Sequence, residues 1–279
     1  MKNVICQLKN SSHIQMTGYV IKTSDDKIIV VDGGTKFDTD HLIEVIKEMS
    51  GNEKPYVDAW LLTHPHDDHI APFCDVVENH SEIEIKKVYF HFPSIKFVED
   101  LEMGQAYMIK RFYSLLPRFA DKVVIVTESD EYFIGNTRLE ILYAHDPSIR
   151  ENPLNNTSTV FRLTLGDKTA IFLGDLGVES GNKMLARLGD KLKSDFCQMA
   201  HHGQAGCSKE VYAAIAPSVC LWSAPDWLYE NDIGKLDKSR VGGYGSGPWQ
   251  TLKVRAWMDE ISPDASHYVE MDGDQYVET

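Results

Sequence analysis

The chain has 279 residues, of which 43% are hydrophobic, 10% aromatic and 25% charged. This is the composition of a folded globular protein, and no apolar run approaches the roughly 20 residues needed to cross a bilayer. The net charge of −14, from 28 basic and 42 acidic residues, disfavours long nucleic acid as a partner, because proteins that grip a nucleic-acid backbone usually carry a basic face. We therefore expect a small-molecule substrate and no membrane attachment.

The cysteine pattern and the first residues bear on the compartment. The five cysteines are dispersed without C-x-x-C spacing, at Cys6, Cys74, Cys197, Cys207 and Cys220. Such a set is typical of reduced thiols that pack as small apolar side chains. The first residues lack the long apolar segment of a secretory signal. Together these features predict a cytoplasmic protein.

The first part of the chain predicts a hairpin followed by a helix. Residues 18–21 and 28–31 are strand-like, and Asp32-Gly33-Gly34 ends the second run. Asp38 or Thr39 can cap the helix that follows. The apolar face of this helix is formed by Leu42, Val45, Ile46 and Met49.

Residues 63–69, with the sequence T-H-P-H-D-D-H, are the richest metal-capable stretch of the chain. They follow a short apolar run that reads as a buried strand opening into a loop. His64 and His66 are two residues apart, so at the end of an extended segment they project to the same side. Asp68 and His69 approach from another direction as the chain turns. Imidazole nitrogens with carboxylate oxygens suit zinc and metals of similar softness, and so many ligand-type residues disfavour an ordinary solvated loop.

Further strands and helices are predicted in the middle of the chain. Residues 88–92 form a buried strand, and His91 at its end is better explained as a packed, hydrogen-bonded residue than as a ligand. An apolar stripe over residues 98–119 predicts one long helix on the core. Strand-like runs follow at 123–126, 131–134 and 139–143, with Gly135-Asn136 marking a hairpin turn. Another hairpin turns at Gly166-Asp167.

Metal-capable side chains recur where short apolar runs end. His145, Asp175 and the pair His201-His202 each follow such a run, as His64 does. Ligands gathered from several strand ends of an α/β scaffold are a common way to build a metal cleft. The sequence therefore predicts that these separate segments meet at one site.

The last part of the chain adds no second unit. It predicts a helix at 209–215, a strand at 219–222, a helix at 249–261 and a final hairpin that turns at Asp272-Gly273. The glycine-rich residues 242–247 lack the strand-before, helix-after context of a phosphate-binding loop. No linker or low-complexity run divides the chain, so we expect a single domain over residues 1–279.

Four motifs occur in an order that resembles the metallo-β-lactamase superfamily. They are H-x-H-x-D-H at residues 64–69, the strand-end His145, Gly174-Asp175 and His201-His202. The resemblance implies an α/β fold, a four-layer αββα sandwich with the metal site at one edge of its two sheets. Within the superfamily the chain looks similar to the branch of competence-channel nucleases and phosphorylcholine esterases. The motifs that carry this finer resemblance are Asn156-Thr157-Ser158, residues 172–175 and His201-His202-Gly203.

The resemblance also implies a site for two divalent metal ions, expected to be zinc, with manganese or iron as alternatives. One ion would be held by His64, His66 and His145. The second would be held by Asp68, His69 and His202. Asp175 would bridge the two ions, and His201 would face the substrate as an acid or phosphate contact. Asp67 is expected to orient a ligand histidine.

These roles predict a hydrolase in which a hydroxide bridging the two metals attacks the substrate, with Asp68 orienting it. Phosphodiesters or other small phosphorylated molecules are the leading substrates, because the metals themselves neutralise a phosphate. The alternatives are a lactam, lactone or thioester hydrolase and a non-catalytic metal-binding protein of the same fold. A cationic head group would also suit Asp226, Trp227 and Tyr229. No G-x-S-x-G motif supports a serine nucleophile.

Overall fold

The computed structural model describes residues 2–279, whose strands form two large sheets and one small one. The strands are β1 (Val4–Gln7), β2 (Gly18–Lys22), β3 (Ile28–Asp32), β4 (Tyr56–Val57), β5 (Ala59–Leu61), β6 (Glu84–Ile85), β7 (Val88–Phe90), β8 (Val123–Ile125), β9 (Glu131–Ile134), β10 (Thr137–Tyr143), β11 (Val160–Leu165), β12 (Lys168–Phe172), β13 (Phe196–Gln198), β14 (Val219–Trp222), β15 (Ser266–Val269) and β16 (Gln275–Glu278). The α-helices are α1 (Thr39–Ser50), α2 (Asp67–Asn79), α3 (Ile95–Leu101), α4 (Ala106–Leu115), α5 (Val178–Leu188), α6 (Lys209–Ile215), α7 (Asp226–Tyr229), α8 (Ile233–Leu236) and α9 (Thr251–Ile261). In this part of the chain, no helix combines the length and apolarity that a membrane span needs.

The two large sheets are built alike, each half antiparallel and half parallel. The first has the strand order β16-β1-β2-β3-β5-β7-β8 and the second β15-β14-β13-β12-β11-β10-β9, while β4 pairs with β6. Strands are antiparallel from β16 to β3 and from β9 to β12, and parallel from β3 to β8 and from β12 to β15. Parallel neighbours need a crossover, which helices supply. Helices α1 and α2 lie in crossover connections of the first sheet, and α5 and α6 lie in crossover connections of the second.

Strand β3 shows how four layers arise from alternation along a strand. Ile28 and Val30 belong to the apolar cluster that includes residues of α1, α2 and α4. Ile29 and Val31, on the opposite face, join a cluster shared with strands of the second sheet. A third cluster packs α5, α6 and α9 on the outer face of the second sheet. The predicted αββα sandwich is therefore confirmed, with apolar cores between the sheets and beneath both helical layers.

The predicted hairpins of the first two thirds of the chain are confirmed. Strands β2 and β3, β9 and β10, and β11 and β12 pair as antiparallel neighbours. The predicted final hairpin is wrong. Strand β15 pairs in parallel with β14, whereas β16 pairs antiparallel with β1 in the other sheet. A turn signal at Asp272-Gly273 reverses the chain locally, but it does not decide which strand edge each side pairs with.

The single long helix predicted over residues 98–119 is also wrong. The chain forms α3, a short 3₁₀ turn at Met103–Gln105 and then α4. Glu102 leaves the helical region of backbone space, with φ −150° and ψ 55°. The apolar stripe continues across this break because both helices pack on the same core cluster, through Val98 in α3 and Ile109 in α4.

Candidate metal centre

Three of the four predicted ligand segments supply side chains that meet at one edge of the sandwich, where strands of both sheets end. The first sheet contributes the residues that follow β5, namely His64, His66, Asp68 and His69. The second sheet contributes Asp175 after β12 and His202 after β13. Helix α2 begins at Asp67, so its first turn carries part of the motif.

Six side chains form two groups that could each hold a metal ion. In one group the ligand atoms of His64, His66 and Asp175 lie within 4.8 Å of one another. In the other the same holds for Asp68, His69 and His202. Asp175 reaches both groups: its Oδ1 is 3.2 Å from Nε2 of His69, and its Oδ2 is 3.8 Å from Nε2 of His64. A carboxylate that bridges two ions needs this position.

In three of the four histidines, the ring nitrogen that faces away from the two groups has a hydrogen-bonding partner in the protein. Nδ1 of His69 donates to Asp32 at 2.7 Å, and Nδ1 of His202 donates to the carbonyl oxygen of Ser223 at 2.9 Å. Nδ1 of His64 is 3.1 Å from Oγ1 of Thr63, and Nε2 of His66 is 3.8 Å from Oε1 of Glu102. Such partners fix the orientation and tautomer of metal-binding histidines and leave the opposite nitrogen for the metal.

Three of the atoms that face inward make no hydrogen bond with any residue that the structure describes. Nε2 of His69, Nε2 of His202 and Oδ1 of Asp175 are buried and make no hydrogen bond within residues 2–279. Buried polar atoms are rarely left in this state. The donor set is nitrogen and carboxylate oxygen, as zinc and similar divalent metals prefer. The residues therefore fit a pair of divalent cations.

Asp32 is a functional residue that the sequence interpretation missed. Its two carboxylate oxygens accept hydrogen bonds from the backbone N–H of Thr63 at 2.8 Å, from the Thr63 hydroxyl at 2.7 Å and from His69. The available signal was an aspartate at the end of a buried strand. Asp67, expected in this orienting role, instead accepts a hydrogen bond from the hydroxyl of Tyr107.

Glu102 is a second residue that the sequence interpretation missed. The break between α3 and α4 directs its carboxylate toward His66, while its other oxygen accepts from the backbone N–H of Leu154 at 3.2 Å. Its interaction with His66 lowers the pKa of the Glu102 carboxyl. The available signal was Gly104, a poor residue for the interior of the long helix predicted there.

The sequence His201-His202-Gly203 forms an unusual turn after β13. All three residues have positive φ, at 51°, 55° and 76°. A side chain at Gly203 would place its Cβ 2.5 Å from the ring of Trp222, so only glycine fits. Because of this turn, the side chains of His201 and His202 point in different directions. His202 is fully buried among the ligands, whereas Nε2 of His201 lies 3.3 Å from the Asn155 amide nitrogen.

The structure places His145 outside both ligand groups. Its ring packs 4.8 Å from that of Phe97 and 6.4 Å from that of His91, measured between centroids. Burial, with repulsion from His91, lowers the pKa of His145 to about 4. His91 itself is hydrogen-bonded to the carbonyl oxygen of Val126. In the group that contains His64 and His66, the third donor is Asp175.

The histidines and carboxylates of the centre shift one another's pKa values. Burial acts to raise the pKa of Asp175, but the neighbouring His202 and His69 outweigh it and hold that pKa well below the usual range. Burial acts to lower the pKa of His69, but the carboxylates of Asp175, Asp32 and Asp68 outweigh it and raise that pKa well above the usual range. Protons on the histidines thus balance the carboxylates. Because metals bind neutral imidazole, metal binding should release these protons.

A cavity of about 360 Å³ gives access to the centre. Its walls include Gln15, His66, Asp68, Asp175, His201 and Trp227. This volume falls within the range of small-molecule sites. The fold and these residues define an αββα protein with a candidate metal centre beneath a cavity.

The sequence comparison gives the family. Residues 17–212 match the sequence pattern of the metallo-beta-lactamase superfamily, and the chain belongs to this superfamily. Among curated protein sequences, none matches the chain.

Comparison with solved structures supports the fold. The metallo-beta-lactamase fold protein YhfI from Bacillus subtilis has 13% identity, with 99% of this chain and 100% of that chain covered and a TM-score of 0.56. CmlA, a diiron beta-hydroxylase from Streptomyces venezuelae, has 13% identity and a TM-score of 0.57. That match covers all of this chain and 54% of CmlA, so the chain spans about half the length of CmlA. At this identity the likeness shows the fold alone.

Proposed function

We propose that the protein is a dinuclear metal-dependent hydrolase of phosphodiesters or other small phosphorylated substrates. The observation that carries the proposal is the position of Asp175, whose two carboxylate oxygens reach ligand atoms of both groups, at His69 and at His64. A pair of divalent cations, when bound, lowers the pKa of water and polarises a phosphoryl oxygen. We expect zinc, with manganese or iron as the alternatives.

The residues around the cavity supply the remaining interactions. Oδ2 of Asp68 is 3.4 Å from Nε2 of Gln15 and lies on the cavity wall, so this carboxylate can accept a hydrogen bond from an attacking water. His201 also lines the cavity, and its ring is held by Asn155: the Asn155 amide nitrogen is 3.3 Å from Nε2 of His201 and 3.1 Å from Oδ1 of Asn152. When it carries a proton on Nε2, His201 can donate that proton to the departing oxygen.

We further propose that the chain is nearest to the branch of competence-channel nucleases and phosphorylcholine esterases. The motif residues of that resemblance support the bridging carboxylate. Oγ of Ser158 accepts a hydrogen bond from the backbone N–H of Asp175 at 3.0 Å. The side chain of Asn156 accepts from the backbone N–H of Ser180 at 3.2 Å, at the start of α5. The motif therefore holds the loop that presents Asp175.

A cationic head group on the substrate is not part of the proposal. The guanidinium carbon of Arg255 lies 4.2 Å from the ring centroid of Tyr229, so this aromatic face already has a cation. Asp226 pairs with Lys235 at 3.3 Å. Two of the three residues that suggested a cationic ligand, Asp226 and Tyr229, are thus engaged within the protein. The net charge of −14 favours a small substrate over a long polyanion.

The test combines metal content with turnover. Protein purified without chelators should contain two equivalents of zinc, manganese or iron by elemental analysis and should hydrolyse bis-p-nitrophenyl phosphate. Asp175→Asn should lose metal and activity, whereas Asp167→Asn, an exposed aspartate in the turn after β11, should keep both. Full activity in metal-free protein or in Asp175→Asn would overturn the proposal. Two equivalents of metal with ring opening of lactams or lactones, or thioester cleavage, and no phosphodiester turnover would favour the other hydrolase class. Metal without any turnover would favour a binding protein.

A further inference from the structure

A second cavity, of about 290 Å³, adjoins the metal centre. Ile14, Asp67 and Asp68 line both this cavity and the larger one, so the two lie side by side and share part of their walls. The walls of the second cavity are largely apolar or aromatic, and they include Ile14, Phe37, Ala71, Tyr107 and Met108. A molecule whose reacting group lies beside Asp68 can therefore extend into an apolar space.

Three large side chains around this second cavity are exposed to solvent. The exposed fractions are 48% for Ile14, 58% for Phe37 and 51% for Tyr107. Single exposed apolar residues are ordinary, but a group of them around one concave surface is typical of a binding site. Leaving three such residues in water costs free energy that a bound apolar group would recover.

The loop that presents Phe37 is held in place by hydrogen bonds. The carboxylate of Asp38 accepts from the backbone N–H of Thr35 at 2.9 Å and from its hydroxyl at 2.6 Å. Oγ1 of Thr35 in turn accepts from the backbone N–H of Phe37 at 3.2 Å. On the opposite wall, the hydroxyl of Tyr107 donates to Asp67. The exposure of both rings is thus a feature of an ordered wall.

Arg111 and Asp67, two charged residues of the wall, are already paired. Arg111 pairs with Asp75 at 2.7 Å and also with Glu78. The ammonium group of Lys36 lies 4.9 Å from the ring centroid of Phe37. With Asp67 bonded to Tyr107, the side of the cavity away from Asp68 offers apolar surface more than free hydrogen-bonding groups. An uncharged, apolar ligand group suits it best.

We propose that the second cavity binds an apolar group of the substrate, about the size of one aromatic ring, while the phosphate of the same molecule lies at the metal centre. This inference rests on the proposed hydrolase function and names its substrate class: small phosphate esters with an apolar organic group. Phe37, Tyr107 and Ile14 would determine this specificity. They contact the organic group and take no part in the chemistry.

The test compares two phosphodiesters with the same leaving group, p-nitrophenyl phenyl phosphate and p-nitrophenyl methyl phosphate, on metal-loaded protein. We expect kcat/KM to be about tenfold higher for the phenyl ester, the order of discrimination that an apolar pocket provides. In Phe37→Ala this preference should fall about fivefold or more. The ratio between variant and wild type cancels the difference in intrinsic reactivity of the two esters.

Phe133→Ala is the matched control. Phe133 is 70% exposed on β9 and does not line the cavity, so the same change there should leave the preference unaltered. A wild-type preference near one, or a preference that Phe37→Ala preserves, would overturn the assignment. Phe37 is exposed, so its replacement leaves the core intact, and Ile14→Ser provides a second variant on the same wall.

A binding measurement separates this inference from the proposed function. Titration calorimetry would compare phenylphosphonate and methylphosphonate on metal-loaded wild type and Phe37→Ala. If neither diester is hydrolysed but phenylphosphonate binds about tenfold more tightly in wild type only, the hydrolase proposal fails and the cavity assignment stands. If the diesters are hydrolysed but neither turnover nor binding favours the phenyl group, the cavity assignment fails and the hydrolase proposal stands.

Discussion

Oδ2 of Asp32 lies 2.7 Å from Nδ1 of His69, and both side chains are fully buried. This contact joins the end of β3 to the first turn of α2. It places the Nδ1 proton of His69 on the side away from the ligand group, so Nε2 is free to bind a cation. The bond therefore decides which ring nitrogen of His69 is available.

Asp32→Asn tests this role. The asparagine can adopt the positive φ of 54°, but its amide N–H would donate to Nδ1 of His69 and shift the ring proton to Nε2. We expect zinc affinity to fall roughly 10- to 100-fold while the circular dichroism spectrum is retained, measured by competition with a chromogenic chelator. Asp26→Asn is the matched control, because Asp26 has φ 60° but is exposed in the β2–β3 turn. Equal affinity in both variants would contradict the assigned role of Asp32.

His145→Ala should leave the metal content unchanged. His145 packs against Phe97 and belongs to neither ligand group, so its removal opens a gap in the packing without removing a donor. His66→Ala should reduce the metal content, because His66 contributes to the group completed by Asp175. Elemental analysis of the two variants gives the answer. Loss of one equivalent from His145→Ala would return this histidine to the ligand set.

Gly203→Ala should be far more destabilising than Gly51→Ala. Both glycines have positive φ, at 76° and 67°, and alanine in that region costs about 1 kcal/mol or more. An added Cβ at Gly51 meets nothing within 4 Å, whereas at Gly203 it lies 2.5 Å from the ring of Trp222. Overpacking of that kind adds roughly 1–3 kcal/mol. Urea denaturation of chelator-treated protein measures both variants, and equal losses would show that the turn adapts to the extra methyl group.

Glu270→Gln should change how stability depends on pH. Glu270 is 1% exposed, neither carboxylate oxygen has a hydrogen-bond partner within residues 2–279, and burial raises its pKa well above the model-peptide value of 4.5. Above pH 4.5 the folded state keeps a proton that the unfolded state has lost, so the free energy of unfolding decreases as the pH rises. Glutamine removes this dependence.

Calorimetric melting of chelator-treated protein tests that expectation. The Tm of Glu270→Gln minus that of wild type should increase from about pH 4.5 to about pH 8. Glu53→Gln serves as the control, because the side chain of Glu53 is 91% exposed. A difference in Tm that stays constant with pH would mean that Glu270 is ionised in the folded protein.

The motif at residues 64–69 could be found in the sequence because its ligand-type residues are local. The short apolar strand before it could also be recognised, whereas the αββα sandwich was implied by the resemblance to the superfamily. The residues that orient the ligand histidines are not local in the sequence. Asp32 and Glu102 lie 37 and 36 residues from His69 and His66, and each resembles an ordinary polar residue at the end of an element. Only the packing of the layers brings them to the site.

The C-terminal strands show another limit of local patterns. The apolar runs of β15 and β16 and the glycine between them are those of a hairpin. Their actual partners, β14 and β1, are set by which sheet edges remain free once the rest of the chain has folded. The pairing partner of a strand therefore cannot be predicted from the sequence of that short strand alone.

Neither sheet carries a complete ligand group by itself. The residues after β5 supply four donors, but one group is completed only by Asp175 and the other only by His202, both from the second sheet. We therefore expect the cations to bind late in folding, after the two sheets have packed against each other. Two bound cations, each held by residues from both sheets, would then slow the separation of the sheets and hence unfolding. In a cell, the lifetime of each molecule against proteolysis would follow its metal supply.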